Sequence, residues 1–236
     1  MKNAGTVDSF ERDGSAARVS LFDDLKVESI GLVFEQQAHK EGFRFVAGVD
    51  EVGRGCLAGP VVAGACILDP EKPLPKGLDD SKKLTAEMRD EIAAQLKADC
   101  IAYAIGQIEA DEIDRINILE ATKQAMLKAI AALTPQADFL LIDALQLKMS
   151  PLPQRPIIKG DTISASIAAA SILAKTYRDD LMKAYDIEYP QYGFAGHKGY
   201  GAAVHCTALR EYGPCSLHRL TFNGVLDNKE ENLPLF

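Results

Sequence analysis

An α/β fold, a mixed β-sheet flanked by helices with a helical C-terminal region, follows from three features of this 236-residue sequence. Apolar runs of strand length recur at residues 43–50, 61–68, 101–108 and 139–143. Segments with helical spacing of apolar residues separate most of them, which favours a sheet covered by helices. The first two runs are joined by only ten residues without a helical pattern, so they are expected to pair antiparallel.

Each element has its own local signal. Residues 1–22 lack periodicity and are rich in Ser, Gly, Asp and Arg, so a flexible segment is expected there. Leu25, Ile30, Val33 and Phe34 stand at helical spacing and predict an N-terminal helix over 25–41, within a unit spanning 23–42. A single domain is expected over 43–226. Residues 70–83 form a loop rich in Pro, Gly and Lys, and Thr85-Ala86-Glu87-Met88 is a capping signal for a helix to about Lys97. Two helical stretches, 111–116 and 119–133, follow the third strand. After the fourth strand a Pro-containing loop leads to an Ala-rich helix over 163–185, and a last helix is expected over 202–212. Residues 227–236 form an acidic, flexible tail.

Bulk composition narrows the class. Apolar content of 47% and charged content of 25% are ordinary for a soluble globular chain. No apolar stretch is long enough to cross a membrane. Five scattered cysteines without a CxxC pair point to reduced thiols and a cytoplasmic location. The net charge of −8 is concentrated at the ends; residues 43–226 carry 20 basic and 23 acidic side chains. Acidity therefore does not exclude a polyanionic substrate.

The chemistry-bearing stretch is Val46-Ala47-Gly48-Val49-Asp50-Glu51-Val52-Gly53-Arg54-Gly55. A buried strand runs into two adjacent carboxylates, which on a strand point to opposite faces. The following Gly-Arg-Gly loop offers bare N–H groups and a guanidinium, suited to phosphate or hydroxyl groups. A solvated acidic turn is the alternative. Asp143 closes its own apolar run, and Asp161 stands directly before the long helix, where it can also serve as a cap. Carboxylates gathered at such termini repel one another without a cation. Four of them match the oxygen coordination of Mg²⁺ or Mn²⁺, and two such ions suit phosphodiester hydrolysis.

Asp50-Glu51-Val52-Gly53-Arg54-Gly55, followed by Ala58-Gly59-Pro60-Val61-Val62-Ala63-Gly64-Ala65, resembles the signature of ribonuclease HII. The likeness continues through Leu78-Asp79-Asp80-Ser81-Lys82-Lys83-Leu84, Ile116-Asn117-Ile118-Leu119-Glu120-Ala121-Thr122, Asp143 and Lys159-Gly160-Asp161. It runs on through Ser166-Ile167-Ala168-Ala169-Ala170-Ser171-Ile172-Leu173-Ala174-Lys175, Tyr192-Gly193-Phe194 and His197-Lys198-Gly199-Tyr200. The resemblance implies a ribonuclease H-like fold and metal-dependent incision 5′ of a ribonucleotide in duplex DNA or in an RNA/DNA hybrid. It implies Asp50, Glu51, Asp143 and Asp161 as catalytic metal ligands, Gly53, Arg54 and Gly55 as the reader of the 2′-hydroxyl, and Tyr200 as a ring stacked on the junction sugar. The 2′-hydroxyl is the group that separates RNA from DNA at one sugar.

Ser81, Lys82 and Lys83 suit substrate contacts, the lysines as phosphate ligands; a solvated turn is the alternative for the pair. Asp179 and Asp180 read as surface ion-pairing partners of neighbouring lysines. His197 and Lys198 are candidates for the substrate channel, with a structural role the alternative for His197, while His205, His218 and Cys56 have structural roles by default. Two departures from the family pattern stand out. Ala202 and Ala203 lack the hydroxyl that usually follows the Gly-Tyr pair, and Leu220 replaces a second Arg after Arg219, removing one expected phosphate contact. The N-terminal forty residues are too short for the extra domain of ribonuclease HIII. A type HIII-like hybrid ribonuclease and a non-catalytic nucleic-acid-binding module are the alternatives. A monomer is expected. Leu233, Leu235 and Phe236 in the tail resemble a peptide that docks on the bacterial sliding clamp, although its usual leading Gln is absent; packing on the domain's own surface is the other reading.

Overall fold

The structure, a computed structural model, describes residues 27–226. Five strands, β1 (Val46–Val52), β2 (Val61–Ile67), β3 (Ala102–Ile108), β4 (Phe139–Asp143) and β5 (Gln154–Ile157), form one sheet in the order β3-β2-β1-β4-β5. The short link does give an antiparallel β1–β2 pair, while β4 lies parallel to both β1 and β5. β5 has no counterpart among the predicted strands. It is four residues long, contains Pro156 and sits at the sheet edge, where a missing N–H is tolerated.

The helices are α1 (Val33–Lys40), α2 (Ala86–Asp99), α3 (Ala110–Ile116), α4 (Ile118–Ala131), α5 (Ala165–Glu188), α6 (Phe194–His197) and α7 (Ala203–Tyr212). The Thr85 signal is realised: its side chain accepts from Met88 N–H at the start of α2. Asn117 caps α4 in the same way, accepting from Leu119 and Glu120. α1 begins later than the apolar spacing suggests. Gly31 pairs with the start of α5 instead, through Gly31 N–H to Ile163 O (3.3 Å) and Ala165 N–H to Gly31 O (2.9 Å). Leu25, the first residue of the expected helix, lies outside the described residues, as do residues 1–22 and the tail. β1 is shifted too, because the N–H groups of Arg44 and Phe45 bond the Asp138 carboxylate, so Asp50 and Glu51 fall inside the strand.

Alternation along the strands builds two cores. Ala47 and Val49 of β1 and Val61, Ala63, Ala65 and Ile67 of β2 face α4 through Ala121, Ala125, Met126 and Ala129. The opposite face carries α5, and there the approach is close enough to dictate composition. A Cβ on Gly48 would lie 2.0 Å from the Ser166 carbonyl carbon, so glycine is required for α5 to cross β1 at this distance. The small residues of α5 (Ala165, Ser166, Ala168, Ala169, Ala170) are its side of the same fit. Buried Glu35 on α1 fixes where α5 begins: its Oε1 accepts from Ser164 Oγ (2.7 Å), Ser166 N–H (2.9 Å) and Ser166 Oγ (2.6 Å).

Candidate active site

Two neighbouring parallel strands carry the first three acids. Val49 pairs with Ile142, so Asp50 and Asp143 occupy the next positions on adjacent chains, and such strands run about 4.8 Å apart. Asp50 is almost fully buried and points toward α5, where the Ser171 hydroxyl offsets part of the rise in its pKa. Asp161 sits in a single 3₁₀ turn, Gly160–Thr162, before α5. It does not cap that helix. Ser164 does, accepting from Ile167 N–H, which removes capping as an account of Asp161. The turn abuts β4 directly, since Gly160 N–H donates to Asp143 Oδ1 at 2.7 Å.

The electrostatics are strained. Burial raises the Asp50 carboxyl well above its ordinary value, and the charges of Glu51 and Asp143 push it further. Burial likewise raises Glu51 against the opposing pull of Arg54, and raises Asp143 against its bond from Gly160. Glu51 Oε2 is buried with no hydrogen-bond partner. A buried carboxylate oxygen without a donor costs free energy unless a cation meets it. The donor set is all oxygen, which suits Mg²⁺ or Mn²⁺.

Among the described residues no three such side chains already stand as an ion-holding group. The contacts show why: each acid is engaged internally. Lys82 Nζ donates to Asp161 Oδ2 at 2.9 Å, Arg54 reaches Glu51 Oε1 at 3.3 Å, and Asp50 Oδ1 accepts from Glu51 N–H at 2.8 Å. Burial pulls the Lys82 ammonium down, but the bond and charge of Asp161, with Asp80 and Asp50, leave it raised overall. The lysine expected to meet phosphate is thus the counter-ion of the acid cluster in this state.

The other expected site residues separate into surface and support. Arg54 and Gly55 are exposed, and their N–H groups have no internal acceptor among the described residues. Gly53 is buried with φ +90°, a conformation that favours glycine. Tyr200 is 43% exposed, and the turn before it is joined to the loop by Leu57 N–H to Gly199 O at 2.8 Å. Lys83 pairs with Asp79 on the surface (3.1 Å), away from the acids. Ser81 is buried, its hydroxyl on Ser171 Oγ (3.1 Å), so it stands behind Asp50 rather than at the surface expected of a substrate contact. Asp179 departs from the surface-pairing expectation: it is buried and bridges Lys175 (2.6 Å) and Arg89 (3.6 Å), whereas Asp180 pairs with Lys183 in the open.

Histidines hold the turn that carries Tyr200. The Tyr200 carbonyl can only accept, so His205 Nδ1–H donates to it (2.8 Å) and His205 Nε2 must accept from His218 Nε2–H (3.0 Å). His218 Nδ1 is then free to accept Cys215 N–H at 2.9 Å. Burial keeps both rings neutral, lowering His205 and taking His218 down to about 4, where the neighbouring His205 adds to the effect. His197 donates to Tyr192 O and accepts Gly199 N–H, a supporting role rather than a channel-lining one. Two residues that sequence reasoning did not weight as site residues are fully buried beside the loop, Arg178 and Arg219. No local signal in the sequence marks Arg178, which lies among charged residues.

Acids at one end of a mixed sheet, beside a loop with free backbone donors, suit a metal-dependent hydrolase acting on phosphate esters. Residues 47–225 match the family model described as Ribonuclease HII. The chain is 51% identical over 194 residues to Ribonuclease HII of Syntrophotalea carbinolica, an alignment covering 82% of this chain and 92% of that one. It is 58% identical over 191 residues to Ribonuclease HII of Chlamydia caviae, covering 80% and 89%. Among solved structures it resembles ribonuclease H2 from Pyrococcus horikoshii OT3, with a TM-score of 0.66 and 25% identity over 80% of this chain and 98% of that one. The chain belongs to the ribonuclease HII family. It is a type 2 ribonuclease H, an endonuclease, and the type HIII-like and non-catalytic alternatives fall away. Among the described residues no helix is long and apolar enough to cross a membrane.

Proposed function

We propose that this chain incises duplex DNA on the 5′ side of an embedded ribonucleotide, and the RNA strand of RNA/DNA hybrids, leaving 3′-hydroxyl and 5′-phosphate ends. The observation that carries the proposal is the adjacency of two unlike devices: acids short of cations, and a loop whose Arg54 and Gly55 N–H groups face outward unpaired. Asp50, Glu51, Asp143 and Asp161 would hold the divalent ion, Mg²⁺ or Mn²⁺. A solved ribonuclease HIII with 21% identity and a TM-score of 0.62 is described in complex with Mn²⁺, which supports a divalent ion without choosing between the two. Bound ions supply the charge stabilisation and water activation that phosphodiester hydrolysis needs.

The chain's own residues do the rest. Asp50 and Asp143 are each held through one oxygen, by Glu51 N–H and Gly160 N–H, which fixes where the carboxyls stand. The N–H groups of Arg54 and Gly55 donate to the 2′-hydroxyl, and the Tyr200 ring packs on the next sugar, where a second hydroxyl would clash. Lys82 pairs with Asp161 and would be free to meet a phosphate where ions took its place as counter-charge, with Lys83 next in the chain. Incision of a duplex holding one ribonucleotide, against the same duplex in all-DNA form, tests the proposal. Cleavage 5′ of the ribonucleotide in the first and none in the second is expected; cutting of both, or of neither with Mg²⁺ or Mn²⁺, contradicts it.

The tail residues Leu233, Leu235 and Phe236 lie outside the described residues. We read them as a docking peptide for the sliding clamp. A solved neighbour with 23% identity and a TM-score of 0.67 is described as the PCNA:RNase HII complex from Archaeoglobus fulgidus, which supports a clamp as partner. Deleting residues 233–236 should abolish clamp binding in a pull-down with purified clamp; unchanged affinity contradicts it.

A further inference from the structure

Arg178 on α5 and Arg219 beyond α7 are each fully buried. Neither forms an ion pair among the described residues. Both donate to backbone carbonyls instead. Arg178 reaches Pro60 O (3.0 Å), Lys198 O (2.8 Å) and Ala58 O (3.0 Å). Arg219 reaches Gly53 O (2.7 Å), Arg54 O (2.8 Å) and, through two nitrogens, Gly59 O (3.1 and 2.8 Å). Burial lowers Arg219 to about 10, which leaves it charged at neutral pH. Taking two like charges out of water costs several kcal/mol per ion, roughly, and apolar side chains would fill the space more cheaply. The carbonyls they hold belong to two segments only, the loop and the turn before Tyr200.

Peptide geometry says what this arrangement does. In a planar trans peptide the C=O of one residue and the N–H of the next point in opposite directions. Gly53 O shares its plane with Arg54 N–H, and Arg54 O shares its plane with Gly55 N–H. Drawing those two carbonyls inward onto one guanidinium therefore turns those two N–H groups outward. Arg178 performs the complementary task, tying Lys198 O to Ala58 O and Pro60 O and so fixing the turn of Tyr200 against the loop. Its side chain lies where a Cβ on Gly53 would be, 2.3 Å from Nε.

We propose that Arg178 and Arg219 are positioning residues for substrate discrimination: Arg219 sets the outward direction of the Arg54 and Gly55 N–H groups, and Arg178 sets their spacing from Tyr200. The inference rests on the assignment of this loop to the 2′-hydroxyl. Lysine retains the charge but lacks the planar fork that spans several carbonyls. The experiment uses the full chain in the Asp50→Asn background, so that binding is read without cleavage. Affinity is measured for a duplex with one ribonucleotide and for its all-DNA counterpart, alongside amide hydrogen exchange across residues 53–60 and 197–200. R219K should bring the affinity ratio down to about one while leaving all-DNA binding near that of the parent, and should speed exchange in the loop. R178K should speed exchange at Tyr200 and Gly199 as well. A merely structural role would weaken both duplexes alike and leave the ratio unchanged. A retained ratio with unaltered loop exchange in R219K overturns the proposal. A parent protein without any ribonucleotide preference instead refutes the assignment of the loop, and the exchange data still decide whether the arginines hold it.

Discussion

The acid cluster and the Gly53-Arg54-Gly55 loop are neighbours in space and opposites in electrostatics. In the cluster, burial raises three carboxyls and leaves Glu51 Oε2 without a donor. In the loop the inward carbonyls of Gly53, Arg54 and Gly59 are met by Arg219, and the N–H groups of Arg54 and Gly55 are left spare. One region carries carboxyls short of positive charge, which on the proposed function external ions would supply, and the other is met by guanidinium groups built into the core. The proposed ion site is held under tension, and the proposed reader of the 2′-hydroxyl is satisfied beforehand.

The largest expected effect is on the strained side. Asp50→Asn should lower kcat on a lone-ribonucleotide duplex by on the order of a thousandfold or more, several kcal/mol of lost charge stabilisation. Activity within tenfold of the parent would remove Asp50 from the metal site. The same substitution should raise the melting temperature of the metal-free protein at neutral pH, because it deletes a buried charge. The pH dependence follows in sign. A carboxyl raised in the folded state contributes stability that is present below its unfolded value and lost as pH rises through its folded value. In chelator, the melting-temperature gap between Asp50→Asn and the parent should therefore shrink as pH falls, since protonation neutralises Asp50 as Asn does permanently. The buried histidines respond alike in both proteins and cancel. A gap independent of pH would show that Asp50 is not strained.

Intermediate in size is Glu35→Ala. It strips three hydrogen bonds from the start of α5 and should cost about 1–3 kcal/mol in denaturant unfolding; no loss would mean that the α1–α5 tie is idle. Smallest is Lys82→Ala. Its side chain is 75% exposed, so screening limits each ion pair to roughly 0.2–1 kcal/mol. Calorimetric Mn²⁺ titration without substrate should show affinity tightened by about two- to fivefold, and weakened binding would reverse the counter-ion role given to Lys82.

How much of this was legible beforehand depends on the range of the forces involved. Asp143 at the end of β4 and the antiparallel β1–β2 pair could be read because strand ends and short links are local features. The shift of β1 and the late start of α1 depend on Asp138 and on the first turn of α5, distant in sequence and invisible to periodicity. Ser81 looked like a substrate ligand because a Ser-Lys-Lys loop suggests one exposed unit, yet burial splits it, with the hydroxyl inside and the lysines out. Arg178 sits in a helix whose charged residues repeat at surface-like spacing, so nothing local separates it from its exposed neighbours. Its role depends on α5 crossing the loop, which is a tertiary fact.

The separation of recognition from chemistry is tested most directly by duplex binding to the Asp50→Asn protein. With cleavage blocked, a duplex containing one ribonucleotide should bind about tenfold more tightly than its all-DNA counterpart, the worth of one or two well-placed hydrogen bonds to the 2′-hydroxyl. Equal affinity for the two duplexes would contradict the account.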